Sequence, residues 1–237
     1  MSEREWERIG AGTGIGFVVA MLVSVFLAPT PPHIDASTTR ILDYVSDNRP
    51  ELLGSAIAGL VAGLLFLVFL GYLRHVLQRS ESGAEKLSPL VYGAGLITLA
   101  VAYVCTLPLA VLAFGVDSEI TSNPGLIRLL WDLNALGMAT LMVVLALFVA
   151  ATALAMILGE LERQIVGWVG LPVAIVLAAG GVAGYYNSSH EAFWYGLNYV
   201  ALLAFAAFVL VVAVEGLITR VSVAREAPTS SQPLPTT

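Results

Sequence analysis

The amino-acid sequence predicts an all-α protein, a polytopic transmembrane helix bundle with six spans. Of its 237 residues, 58% are hydrophobic and only 12% are charged, and the mean hydropathy of +0.86 is far above that of a soluble domain. A helix needs about 20 apolar residues to cross a hydrocarbon core of about 30 Å. Six windows without any charged residue are long enough for one span each: 9–34, 52–73, 87–116, 133–159, 164–190 and 192–214.

The spans are predicted to be helices because only helices and closed barrels satisfy their backbone groups in lipid, and the windows lack the alternation of barrel strands. The first span is expected to be retained, since its acidic N-terminal flank does not resemble that of a cleaved signal. Residues 1–220 are predicted to form one domain, and 221–237 a disordered cytoplasmic tail. The expected span limits are about 11–29, 53–73, 90–113, 136–158, 165–185 and 196–215.

Two outer loops are expected to contain short amphipathic helices. In residues 37–48, Ser37 is a candidate N-cap, and Ile41, Tyr44 and Val45 share one helical face, so we expect this helix to lie on the outer membrane interface. The Arg49-Pro50 pair is expected to end it.

In the second outer loop, Asn123-Pro124 has the pattern of a helix start, and Arg128 and Asp132 follow at i,i+4 spacing. This helix either runs on into the fourth span, giving about 35 residues and roughly 52 Å, or breaks near Gly137.

The positive charges orient the predicted bundle. Cytoplasmic loops carry an excess of Lys and Arg, so both termini are predicted to lie in the cytoplasm, with the chain a multi-pass protein of the plasma (inner) membrane. Trp and Tyr, which gather at membrane interfaces, mostly flank the expected spans. The terminal side contains Arg4, Arg8, Arg74, Arg79, Lys86, Arg163, Arg220 and Arg225, and the opposite side contains Arg40, Arg49 and Arg128.

Several classes of function are disfavoured by composition. A net charge of −6 without any basic run argues against nucleic acid as a partner. Cys105 lies in an apolar window and is interpreted as a packing residue. The zinc-protease motif H-E-x-x-H is missing, and the histidines lie at or beyond the predicted interfaces. No catalytic, cofactor-binding or metal-binding residue is therefore assigned. His33, Asp35, His190 and Glu191 have the side-chain types of an outer zinc site, but nothing in their spacing requires one.

The polar uncharged residues of the spans are the remaining candidates for a functional site. One interpretation places them in the lining of a pocket open to the outside, with Tyr103 at its floor. The other assigns them to interhelical hydrogen bonds, worth about 0.6 kcal/mol each on average, and we favour it. The candidates are Tyr103, Thr106, Asn134 and Asn198.

Small residues recur at four-residue spacing, which permits close helix approach within the bundle, in a homo-oligomer or against membrane partner subunits. The pattern does not distinguish these arrangements. The stripes are Gly12 to Gly16, Ser55 to Gly59 to Gly63, and Gly180 to Gly184.

The spans are rich in Ala, Val, Leu and Gly, Arg is preferred over Lys, and the sequence Pro-Thr-Pro-Pro at 29–32 precedes an Asp-rich helical loop. In these respects the chain resembles uncharacterised six-helix integral membrane proteins of high-GC, actinobacterial-type bacteria. The resemblance implies a bacterial plasma membrane and no particular activity.

Three classes of function stay open. The first, which we favour, is a non-enzymatic membrane component such as an accessory or assembly subunit. The second is a carrier or binder of a small neutral or lipidic molecule in an outward-facing pocket. The third is a membrane enzyme acting at the outer interface through His190, Glu191, Asp132 or Asp35.

Overall fold

A computed structural model describes residues 3–79, 84–158, 164–186 and 199–214, and within these ranges the chain is helical, without strands. Two short 3₁₀ helices, Ala84–Lys86 and Glu119–Ser122, occur in connections. The α-helices of the described ranges are α1 (Glu3–Leu27), α2 (Thr38–Asp47), α3 (Arg49–Gln78), α4 (Ser88–Phe114), α5 (Pro124–Leu158), α6 (Gln164–Tyr186) and α7 (Tyr199–Val214).

Five helices are long and apolar enough to cross a membrane: α1 from Arg8 onward, α3, α4, α5 and α6. They coincide with the helices expected for the first five spans. The described helix α7 is also apolar but shorter, and residues 196–198 and 215 of the expected sixth span lie outside the described residues, as does the tail 221–237. The sixth span therefore stays a prediction.

Local sequence explains where α2 and α5 begin. The Ser37 hydroxyl accepts a hydrogen bond from the amide of Arg40 at 3.3 Å, which caps α2. The Asn123 side chain accepts bonds from the amides of Gly125 and Leu126, at 3.0 and 3.3 Å, and Pro124 occupies the first position of α5. Both predicted helix starts are confirmed.

Helix α5 is unbroken over 35 residues, so the alternative of a break near Gly137 is wrong. Gly137 instead allows close packing: a β-carbon there would lie 2.8 Å from the sulfur of Cys105 and 3.2 Å from its α-carbon. Helix α4 likewise continues as an α-helix through Pro108.

Helix α5 lies between α4 and α6, while α3 packs against α1 and α4. At the centre, four phenylalanine rings from α1, α3, α5 and α7 form a closed cycle with centroid distances of 4.7 to 6.3 Å. The four rings of this cycle are those of Phe17, Phe66, Phe148 and Phe205, and the cycle joins the first described helix to the last. We call the buried cluster around these rings the bundle core.

Glycines bring α6 close to α5 near both of its ends. A β-carbon at Gly167 would lie 2.7 Å from the carbonyl oxygen of Ala153, and one at Gly181 would lie 2.8 Å from that of Ala139. Because glycine has no side chain, the backbones of α5 and α6 can approach each other closely at these two positions.

The outward faces of the long helices are apolar. On α3, for example, Ile57 and Leu64 are each 62% exposed. Soluble monomers rarely expose continuous apolar surface of this extent, whereas a lipid environment suits it. The apolar helices thus indicate a membrane-embedded protein.

A second, smaller apolar cluster closes one end of the bundle, where α2 packs over the ends of α3, α4 and α5. We call it the cap. It differs from the expectation that the apolar face of α2 lies on the membrane interface, because Ile41 and Val45 are fully buried against protein. The cap consists of Ile41, Val45, Leu52, Leu112, Ala113, Ile127 and Trp131.

Candidate functional site

The Tyr103 side chain of α4 reaches across to α3. Its hydroxyl donates to the carbonyl oxygen of Leu60 at 3.1 Å, and it occupies the space beside Gly63, where any β-carbon would collide with the phenol. The small-residue stripe of α3 thus makes room for a tyrosine of the same chain. In this position Tyr103 joins α4 to α3.

Two of the other pocket candidates also bond helix backbone. The Thr106 hydroxyl donates to the carbonyl of Tyr103 at 3.0 Å, within its own helix. The Asn134 amide donates to the carbonyl of Cys105 at 2.9 Å, joining α5 to α4. The fourth candidate, Asn198, lies outside the described residues.

The Asn134 bond lies at a weak point of α4. Pro108 has no amide hydrogen, so the carbonyl of Val104 loses its intrahelical donor and this turn is less constrained. Asn134 of α5 donates to the next carbonyl along α4, that of Cys105, and Gly137 of α5 also lies close to Cys105. The amide and the glycine together hold α5 against the turn that the proline weakens.

Other hydroxyls in the long helices also bond backbone carbonyls. Ser24 on α1 and Ser55 on α3 each donate to the other's carbonyl, at 2.8 and 2.7 Å, which forms a reciprocal pair. Thr98 donates from α4 to the carbonyl of Val144 on α5 at 3.3 Å, and Thr152 bonds its own helix. These contacts stabilise the packing of neighbouring helices.

A groove of about 440 Å³ opens on the flank of α5 and α6, and none of the three described pocket candidates lines it. Sequence reasoning missed this groove. The signal that could have found it is the spacing i, i+3, i+4, i+7 on each helix, with alanines at equivalent places. The lining residues are Val143, Ala146, Leu147 and Ala150 of α5, and Leu171, Ala174, Ile175 and Ala178 of α6.

A pair of hydroxyls lies on the same two helices. The Thr140 oxygen of α5 and the Tyr185 oxygen of α6 are 2.5 Å apart, and Thr140 also donates to the carbonyl of Leu136 at 2.9 Å. Tyr185 is 52% exposed. The pair therefore places polar atoms on an otherwise apolar outer surface.

Ion pairs lie at the cap end of the molecule. Arg49 binds Asp117 at 2.8 Å and donates to the carbonyl of Phe114 at 3.3 Å, linking the start of α3 to the segment after α4. Arg128 binds Asp132 one turn along α5 at 3.0 Å and donates to the carbonyl of Ala36 at 3.4 Å, just before α2.

Tyr44 anchors α2 to the segment that precedes it. Its hydroxyl donates to the carbonyl of Pro29 at 2.8 Å, and its ring meets that of Trp131 edge-on at 6.2 Å. Burial, with a smaller contribution from nearby Tyr199, raises the pKa of Tyr44 to about 12. The neutral phenol is therefore the form that the cap stabilises.

Of the residues considered for chemistry at the outer interface, Asp132 is paired with Arg128, and the carbonyl of His33 accepts from the amide of Ala36 at 2.9 Å in the turn that contains Asp35. His190 and Glu191 lie outside the described residues. Within the described ranges, no three His, Cys, Asp or Glu side chains come together as a metal site.

The described architecture is that of an all-helical protein with five apolar helices long enough to cross a membrane. No protein-family model, curated protein or solved structure matches this chain.

Proposed function

We propose that this chain is a non-enzymatic component of a bacterial plasma membrane, an accessory or assembly subunit with six spans and both termini in the cytoplasm. The observation that carries the proposal is the use of polar side chains inside the bundle. Hydroxyls and amides from α1, α3, α4 and α5 bond helix carbonyls. Such bonds suit a scaffold of fixed shape that offers its outer faces to lipid and to other membrane proteins.

The distribution of charge supports the orientation. Gly10 packs against Tyr72, and the Ser88 hydroxyl donates to the carbonyl of Arg74, so the start of α1, the end of α3 and the start of α4 share one end of the bundle. The cap occupies the other end. Of the cations in the described ranges, Arg4, Arg8, Arg74, Arg79 and Lys86 belong to the first end and Arg40, Arg49 and Arg128 to the cap end. This excess at the first end is the one expected for a cytoplasmic N-terminus.

The orientation can be tested by labelling single cysteines in a Cys105→Ser background. Thr39→Cys places an exposed thiol on α2, and Glu5→Cys places one near the start of α1. In intact cells a membrane-impermeant maleimide is expected to label position 39 and not position 5. Labelling of position 5 alone would show that the orientation is the opposite of the proposed one. Labelling of both positions would place α2 and the N-terminus on the same side of the membrane, which contradicts the proposed topology.

The subunit role predicts a partner present in fixed proportion. The chain, expressed at its native level and extracted with its surrounding lipids, is expected to give a complex with one other membrane protein at constant stoichiometry by native mass spectrometry. Deletion of the chain should also lower the amount of that partner in the membrane. A chain that is recovered only alone, with no protein depleted by its deletion, would contradict the proposal.

A paired substitution separates this role from interfacial catalysis. Asp132→Asn removes the carboxylate, whereas Arg128→Gln breaks the same ion pair and leaves the carboxylate in place. Arg128→Gln also loses the bond to the carbonyl of Ala36, so a scaffold is expected to tolerate Asp132→Asn at least as well as Arg128→Gln in a growth assay of the complemented deletion strain. Loss of function with Asp132→Asn alone would favour an enzyme.

A further inference from the structure

The α5–α6 groove is shallow and open along one side. Ala146 and Ala174 are buried at the floor, while Leu147 and Ile175 are exposed at the rims. Its volume of about 440 Å³ lies within the roughly 300–1,000 Å³ typical of small-molecule sites. Because its lining is apolar and it opens sideways from two long apolar helices, its occupant must enter from the bilayer.

The dimensions favour a hydrocarbon chain over a helix. A helix of about 10 Å diameter cannot enter the groove as a whole and would contact it only through the side chains of one face. A single acyl chain is far thinner. From Thr140 to Ala150, α5 advances ten residues, or about 15 Å at 1.5 Å per residue, which equals half of a hydrocarbon core of about 30 Å. The groove and the hydroxyl pair together therefore have about the length of one leaflet.

The hydroxyl pair of Thr140 and Tyr185 specifies which kind of polar group the occupant of the groove must carry at its other end. Thr140 has a single hydroxyl hydrogen, which it donates to the carbonyl of Leu136, so the short contact requires Tyr185 to donate to Thr140. The phenol oxygen of Tyr185 then retains acceptor capacity on an exposed side chain. A group that binds it must bring an N–H or O–H donor.

We propose that this groove binds one membrane lipid from the leaflet at the Tyr185 end. Its acyl chain lies between Ala146 and Ala174, and a donor of its headgroup, an ammonium or a hydroxyl, bonds the oxygen of Tyr185. A choline headgroup has no N–H or O–H hydrogen and should be disfavoured. The proposal does not depend on the subunit role, since a scaffold, a carrier or an enzyme could each hold such a lipid.

The experiment uses the full chain in nanodiscs that contain equal amounts of ethanolamine-, glycerol- and choline-headed phospholipids with identical acyl chains. Native mass spectrometry under increasing collisional activation counts the lipids that remain. We expect one lipid per chain, with an ethanolamine or glycerol headgroup. Ala174→Leu fills the floor of the groove and should abolish retention of this lipid. Ala178→Leu should do the same, and because residue 178 is only half-buried the fold accommodates the larger side chain more easily. Ala100→Leu, on the exposed face of α4, is the matched control and should retain the lipid.

Tyr185→Phe tests the headgroup separately. It keeps the groove, so one lipid should remain, but the preference for donor headgroups over choline should fall by about threefold, the value of one hydrogen bond in a membrane. The ethanolamine and glycerol arms show which donor is used. Equal retention by the Ala178→Leu variant and wild type, or equal binding of choline lipid by wild type, would overturn the proposal. So would a dimer that Ala178→Leu dissociates, because a second copy would then cover the groove.

Discussion

The bundle core and the cap are both apolar clusters, but they are held together by different forces. The bundle core lies among helices whose outer faces are also apolar, so burying a side chain there exchanges lipid contacts for protein contacts and the gain comes from tighter packing. The cap lies at the helix ends, beside ion pairs and exposed acids, where water makes apolar burial favourable in itself.

The contacts reflect this difference. In the bundle core, four aromatic rings pack against one another, and glycines allow neighbouring helices to approach closely. In the cap, an amphipathic helix covers the ends of three others and is held by Tyr44 and Arg128. Close packing thus stabilises the first region, and removal of apolar surface from water, together with polar anchors, stabilises the second.

The largest expected effect is local opening of the cap. Trp131→Ala removes a buried aromatic side chain, a change that costs about 3–5 kcal/mol. Because α2 depends on this cluster while the bundle core does not, amide hydrogen exchange in Thr38–Asp47 should accelerate by about a hundredfold or more. Trp168→Ala, on an exposed residue of α6, is the control and should change α2 little. Equal acceleration in α2 and in the bundle core would show that the two regions unfold together.

A smaller loss is expected from overpacking between α5 and α6. Gly167→Ala would place a methyl group 2.7 Å from the carbonyl oxygen of Ala153, and such crowding costs about 1–3 kcal/mol. A β-carbon at Gly12 meets nothing within 4 Å, so Gly12→Ala should be neutral or stabilising by up to about 1 kcal/mol. The melting temperatures of the two variants and the wild type, followed by circular dichroism in the same detergent, measure the difference. Equal melting temperatures would mean that close approach of α6 to α5 is not required.

The cap should also respond to alkaline pH, unlike the bundle core. The pKa of Tyr44 rises from 10.0 to about 12 on folding, so its contribution is complete below pH 10 and is lost as the pH approaches 12. Fluorescence of Trp131, with the other three tryptophans replaced by phenylalanine, should shift to the red over this interval. Tyr44→Phe should abolish the shift. A shift that persists in that variant would assign the titration to another group.

The smallest effect should come from the exposed ion pair of Arg49 and Asp117, whose side chains are 38% and 80% exposed. Asp117→Asn should cost less than about 1 kcal/mol. The cost should vanish in about 1 M salt, where charges are screened within about 3 Å. Ser24→Ala, which removes uncharged bonds between α1 and α3, should instead cost the same at any salt concentration. A salt-independent cost for Asp117→Asn would mean that the pair is not solvated.

Local signals predicted the helices well. Charge-free windows located the five long apolar helices, and Ser37 and Asn123-Pro124 located two starts, because capping involves only neighbours in the chain. The predicted pocket is different. Tyr103, Thr106 and Asn134 suit a cavity lining or helix-to-helix bonds equally well in sequence, and only the positions of Leu60 and Cys105 show which carbonyls they bind.

What the sequence determined by itself is the helical class of the protein and the approximate limits of its long helices, because lipid requires long uncharged segments with internally bonded backbones. What only the tertiary structure decided is the contact made by each apolar face. Periodicity identifies one apolar face on α2, whereas α6 is apolar on all sides; in both cases lipid, a neighbouring helix or a second copy would cover such surface. The structure packs the face of α2 against the ends of α3, α4 and α5 to form the cap, and it leaves a groove between α5 and α6. The sequence could not decide this, because the residues that make these contacts are far apart in the chain.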